Sequence, residues 1–76
     1  MREYLLVNAD QIGEVLGMER HRSKMSQRTL AEEAQVARSF VGMLECKGKK
    51  DITLSKVLRL LSALGCEVVI RRRVRT

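Results

Sequence analysis

The chain contains no proline and no tryptophan, and one tyrosine and one phenylalanine are its only aromatic residues. Packing therefore falls to Leu, Val, Ile, Ala and Met, which suit helices laid on helices. Cysteine and histidine are scarce too. Cys46 and Cys66 stand apart, no Cys-x-x-Cys is present, and His21 is the single histidine. The ligand spacing of a structural zinc site is therefore missing, and no metal is expected. No apolar run approaches the roughly 18–20 residues needed to cross a bilayer. No secretory leader is recognisable, so both thiols are expected to be reduced in a cytoplasmic protein. There is no Ser/His/Asp set, no metal-ligand cluster and no phosphate-cradling glycine loop, so neither an enzyme nor a cofactor is expected. Repeats and low-complexity segments are also lacking.

What is present is a 76-residue chain with 45% hydrophobic residues. That is enough for one small domain with a real core, and small enough to gain from a partner subunit. The formal charge of +6 is unevenly spread. Residues 1–35 carry five bases against six acids, a balance of −1, whereas residues 36–76 carry ten against three, a balance of +7. A basic half on a small domain points to a polyanion, and nucleic acid fits better than a membrane surface because the basic cluster is not on a strongly apolar helix.

The hydrophobic periodicity predicts four helices. Asn8 is an N-cap, and Gln11 three residues later closes a capping box. Helix 1 then runs from about Ala9 to Arg22, with Ile12, Val15, Leu16 and Glu19 on one face. Gly13 and Gly17 weaken it; they either permit close approach of another helix or are simply tolerated. Ser26 caps a helix from Gln27 to about Ala34, with Leu30, Ala31 and Ala34 inward. Gln35-Val36 is a turn. The next helix starts at Ala37 or Arg38, ends near Cys46 and buries Val41 and Leu44. A basic loop, Lys47-Gly48-Lys49-Lys50-Asp51, follows. Thr53 caps the last helix, whose stripe is Leu54, Val57, Leu58, Leu61 and Leu64, and Gly65 ends it. Residues 66–74 are rich in β-branched side chains and read as a strand. A strand needs a partner for its backbone groups. That partner is either the same strand of a second copy, through Val68, Val69 and Ile70, or residues 4–7 of the same chain.

Residues 25–45 hold two short amphipathic patterns around a tight turn, with Ala31 small where the two helices must touch. This is the pattern of a helix-turn-helix, whose second helix enters the major groove of DNA. With Leu30, Val36, Val41 and Leu44 inward, Arg38, Ser39, Gly42 and Met43 face out. Arg38 can bond guanine O6 and N7 together. Ser39 can reach a base or a phosphate. Met43 offers apolar contact to bases, and Phe40 either contacts DNA or covers the core edge beside Leu44. Ser26 and Gln27, at the exposed start of the preceding helix, are placed to hold a phosphate. Lys47, Lys49 and Lys50 would neutralise further phosphates and make binding salt-dependent. Arg20 and Glu45 lie near the inner faces of their helices and read as a structural ion pair.

From Asn8 to Gly65 the chain resembles the Cro/C1-type (Xre) helix-turn-helix family of bacterial and phage repressors. The residues that carry the likeness are Gln27, Leu30-Ala31, Val36, Arg38-Ser39, Val41 and Leu44-Glu45, followed by the helix ending at Gly65. The resemblance implies DNA contact by Gln27, Arg38 and Ser39, and pairing of Arg20 with Glu45. Across the whole chain the resemblance is strongest to the HipB-like antitoxins. It is carried by Asn8-Ala9-Asp10-Gln11-Ile12, the long loop over residues 45–53, Ile52-Thr53-Leu54, Ser62-Ala63-Leu64-Gly65 and the final strand at 67–70. Three positions depart from the family pattern: Gln35 for the usual turn glycine, Ala37 for the usual Ser/Thr cap, and Gly42 where a polar side chain is common. With its short Arg71–Arg75 tail, the chain is not expected to carry a long extension for inhibiting a toxin.

The expected architecture is mainly α, a lambda-repressor-like bundle of four to five helices with a helix-turn-helix, plus a C-terminal strand pairing across a dimer. Residues 1–76 form one domain, with a helical core over 8–65 and a dimerisation strand over 66–74. The expected function is a homodimeric repressor that binds an inverted-repeat operator. In the resemblance it is the antitoxin of a Hip-type operon, partnered by a kinase-like toxin, in the bacterial cytoplasm at the nucleoid. The alternatives are a stand-alone Xre-type regulator of phage or mobile-element origin and an adaptor that uses the same fold without reading DNA.

Overall fold

The computed structural model describes residues 2–46 and 51–74. Among these residues four helices form: α1 (Asp10–Arg22), α2 (Gln27–Ala34), α3 (Arg38–Glu45) and α4 (Leu54–Ala63). No fifth helix and no strand is present among them. The helix-turn-helix is α2 and α3; α1 packs on α3, and α4 packs on α2.

Local chemistry explains the starts and stops. At α1 the capping box forms as expected: Gln11 N–H donates to Asn8 Oδ1 at 3.3 Å, and Asn8 N–H donates to Gln11 Oε1 at 3.2 Å. Regular helix begins at Asp10, one residue later than expected. Ser26 Oγ accepts from Thr29 N–H at 3.0 Å and caps α2. Three helices then stop in the same way. Lys24, Gln35 and Gly65 take positive φ of 58°, 58° and 76°. The next residue in each case donates its N–H five residues back: Met25 to Arg20 O, Val36 to Ala31 O and Cys66 to Leu61 O, at 3.1, 3.0 and 2.8 Å. This is the Schellman stop, for which glycine suits the left-handed position best. Only the third stop has it.

One expected cap is missing, and one start is as weak as expected. Ala37 offers α3 no side-chain oxygen, as its identity dictates. Thr53 is extended ahead of α4, yet its hydroxyl makes no capping bond. The first turn of α4 is exposed there, so solvent can serve its N–H groups.

The core is Leu16, Leu30, Ala31, Ala34, Val41, Leu44, Val57, Leu60 and Leu61. The expected stripe of α4 is corrected by this list. Leu60 is fully buried, whereas Leu54 and Leu58 are exposed and Leu64 is half-buried. The face pressed against α2 is centred on 57, 60 and 61, which places Leu54 and Leu58 to one side.

Residues 67–74 are exposed, carry no regular secondary structure and form no ladder with residues 4–7. A single copy gives its backbone no strand to pair with. Side chains fasten the two ends instead. Tyr4 Oη donates to Glu19 Oε2 at 2.6 Å, Arg2 lies 3.4 Å from the same oxygen, and Arg71 lies 3.6 Å from Glu3. Glu19 is buried on α1 as its spacing implied. The Tyr4 hydroxyl above all, with Arg2 beside it, holds its carboxyl below the ordinary range against the opposing effect of burial.

Candidate nucleic-acid interface

The angle between α2 and α3 is set by small and aliphatic side chains. Ala31 and Ala34 are buried in α2, Val41 and Leu44 in α3, and Val36 is half-buried in the turn. The eight residues of α3 are then divided between core and surface. Arg38 and Ser39, at its N-terminal end, are exposed. This is the end that reaches base edges when such a helix lies in a groove.

Two neighbours are less free than the periodicity implied. Met43 is half-buried and packs against the core, which corrects its expected place on the outer face. Phe40 does the same, and Lys56 of α4 stands over its ring at 5.2 Å. Positions 40 and 43 flank the 41/44 line, so both side chains reach the edge of the core. Phe40 thus adopts the core-edge alternative.

An ion pair braces the unit from behind. Arg20 Nε donates to Glu45 Oε2 at 2.8 Å and its Nη2 to Oε1 at 2.9 Å. Arg20 Nη1 also donates to Met25 O at 2.8 Å, tying the α1–α2 corner to the same point. Both side chains are largely buried, at 10% and 14% exposure. A two-pronged pair of this kind fixes geometry as well as charge. Burial alone would push the Glu45 carboxyl up, but hydrogen bonds from Arg20 and Gln27, with the Arg20 charge, hold it below the ordinary value. Arg20 is raised correspondingly, chiefly by its bond to Glu45.

Gln27 joins this brace. Its Nε2 donates to Glu45 Oε1 at 3.1 Å. Ser26 beside it spends its hydroxyl on the α2 cap and on Thr29 Oγ1, 3.0 Å away. Arg20, Ser26, Gln27, Arg28 and Arg38 together line a shallow cleft in front of the α2 N-terminus. With the Arg20 charge taken up by Glu45, Arg28 and Arg38 leave two cations there, beside N–H groups that a helix start leaves unpaired, so the cleft favours an anion.

Arg28 was not singled out from the sequence as a contact residue. A signal was there: a cation in the first turn of a helix opposes the helix dipole unless an anion is near. Lys56 has no such local signal. Lys47, Lys49 and Lys50 lie outside the described residues. Among the described residues no group of three or more His, Cys, Asp or Glu is placed to hold a metal ion. No helix among them is long and apolar enough to cross a membrane.

No curated protein matches the chain. A family model described as helix-turn-helix, the Cro/C1 type, matches residues 16–70, well over half of the sequence and including α2, the turn and α3. The chain therefore belongs to the Cro/C1-type helix-turn-helix family of DNA-binding transcription regulators.

Proposed function

We propose that the chain is a homodimeric, sequence-specific repressor that lays α3 in the major groove of an inverted-repeat operator. The observation that carries this reading is the cleft of Arg20, Ser26, Gln27, Arg28 and Arg38 beside the exposed Arg38-Ser39 end of α3. One cation-lined surface thus offers a phosphate anchor next to a base-reading fork. Arg38 and Ser39 are the base contacts, with Met43 at the edge of the reading face. Ser26, Gln27 and Arg28 approach the backbone. Lys47, Lys49 and Lys50 add phosphate neutralisation by charge.

The dimer reading rests on the tail. Val68, Val69 and Ile70 are 53%, 73% and 96% exposed and carry no regular secondary structure. A β-branched, apolar and exposed segment of this kind would gain a partner for its backbone by pairing with its own copy across a two-fold axis. The finer reading, an antitoxin that represses its own operon together with a kinase-like toxin, rests on the HipB-like stretches at residues 8–12, 45–54, 62–65 and 67–70.

The test is electrophoretic mobility shift with the DNA upstream of the gene, set against unrelated duplexes at physiological salt. Retarded upstream DNA at concentrations that leave unrelated DNA free supports the reading. Equal affinity for both sinks it and leaves the adaptor alternative. Co-purification with a kinase-like neighbour-gene product tests the antitoxin part separately.

A further inference from the structure

Lys56 is a cation that the cleft in front of α2 does not use. It stands on α4, half-buried, with Nζ 5.2 Å from the centre of the Phe40 ring. Among the described residues it forms no ion pair. A ring face attracts an ammonium without neutralising it. Phe40 itself packs against the core. The ammonium is therefore held at the edge of α3, with donors left for another group.

Its side of α3 is defined by the helix itself. Successive helical residues turn by about 100°, so Phe40 is about 200° round from Arg38, with Ser39 between them. Arg38 borders the cleft with Gln27 and Arg28. Gln27 Oε1 also lies 3.7 Å from where a Cβ of Gly42 would stand, which marks that flank as the α2 side. Lys56 marks the opposite flank. The exposed sector of α3 thus has a cation beyond each border, Arg28 on one and Lys56 on the other.

The major groove is about 12 Å wide and a helix with its side chains about 10–12 Å across, so a helix lying there has a phosphate backbone at each side. The two backbones belong to opposite strands, and the α2 cleft serves one of them. Building on the DNA-binding reading above, we propose that Lys56, steadied by the Phe40 ring, binds a phosphate of the other strand and anchors the second flank of α3. Phe40 is a positioning residue in this arrangement. Its ring limits the conformations open to the lysine before DNA arrives, so less freedom is lost on binding. A phosphate carries no base identity, so Lys56 adds affinity and orientation to every sequence alike.

The experiment uses the full chain and a preferred duplex selected from random sequences. Lys56→Gln should weaken preferred and unrelated duplexes by the same factor. It should also make the plot of log affinity against log salt shallower by about 0.9, one phosphate's share. Single methylphosphonates, which remove one backbone charge, then place the contact. Wild type should lose affinity at phosphates on both strands of a half-site. Lys56→Gln should become indifferent to the substitutions on one strand, and Arg28→Gln to those on the other. Phe40→Leu should blunt the response at the Lys56 phosphates, whereas Phe40→Tyr, which keeps the ring, should preserve it. Melting temperatures confirm that each variant is folded. An unchanged salt slope for Lys56→Gln, or Lys56 and Arg28 variants indifferent on the same strand, overturns the inference while the DNA-binding reading stands. A full response in Phe40→Leu overturns the positioning role. If the wild-type chain binds no duplex, both the inference and the DNA-binding reading fail.

Discussion

Gly13 lies directly against the carbonyl of Leu44: a Cβ placed on Gly13 would overlap the Leu44 oxygen. α1 and α3 therefore meet backbone to backbone at this point. Gly17, one turn on, is different, since a Cβ there would meet only the Glu45 side chain at 3.7 Å, an ordinary contact. Gly13→Ala should destabilise the fold by about 1–3 kcal/mol because backbone must move. Gly17→Ala should leave stability unchanged or raise it by up to ~1 kcal/mol through helix propensity. Urea midpoints of the two variants decide the matter, and equal effects would contradict the packing described.

The helix stops give a second pair of variants. Gln35 holds a left-handed conformation at φ 58° without being glycine, and Ala37 starts α3 with no side-chain cap. Gln35→Gly should stabilise by roughly 0.5–1 kcal/mol, the left-handed penalty less glycine's greater unfolded-state entropy. Ala37→Ser should add about 1 kcal/mol by accepting an N–H at the start of α3. Thermal unfolding checks both.

Acid should weaken the fold through Glu19 and Glu45. Both carboxyls titrate below their ordinary value of 4.5 in the folded state. The unfolded chain then binds protons first, so stability is fully present above about pH 4.5 and is lost as pH falls through the folded values. Tyr4→Phe removes the shortest bond to Glu19. It should cost about 1–2 kcal/mol near neutral pH, and the difference from wild type should shrink as pH falls and Glu19 is protonated. Unfolding midpoints measured between pH 7 and 3 test this, and a pH-independent difference would count against the Tyr4–Glu19 bond.

Removing residues 66–76 tests the tail. Sedimentation equilibrium should show a dimer for the full chain and a monomer or an unstable chain for residues 1–65. A stable 1–65 dimer would move the interface elsewhere, and the exposed Leu54 and Leu58 on α4 would be the first place to look.

The helix-turn-helix was legible because its signals are local. Ser26 before Gln27, the small Ala31 and the 41/44 spacing each act within a turn or two of chain. The capping box of Asn8 and Gln11 was legible for the same reason. Tertiary packing decided the rest. Nothing local tells Leu60 from Leu58, since both fit a wide stripe and only the approach of α2 selects the face. Met43 belongs to the edge of the core, which the periodicity of an eight-residue helix does not show. The Tyr4–Glu19 bond spans fifteen residues and the Gln27–Glu45 bond eighteen, so neither leaves a periodic trace. The tail shows the converse: β-rich sequence alone does not make a strand when no second strand is at hand.

The most direct test of base reading by α3 is the affinity of Arg38→Ala for the preferred site and for every single-base variant of it. Loss of about 1–3 kcal/mol of discrimination at one position per half-site, with the other positions and the melting temperature unchanged, is the expected result. A uniform loss across all sequences, or no change at any position, would contradict it.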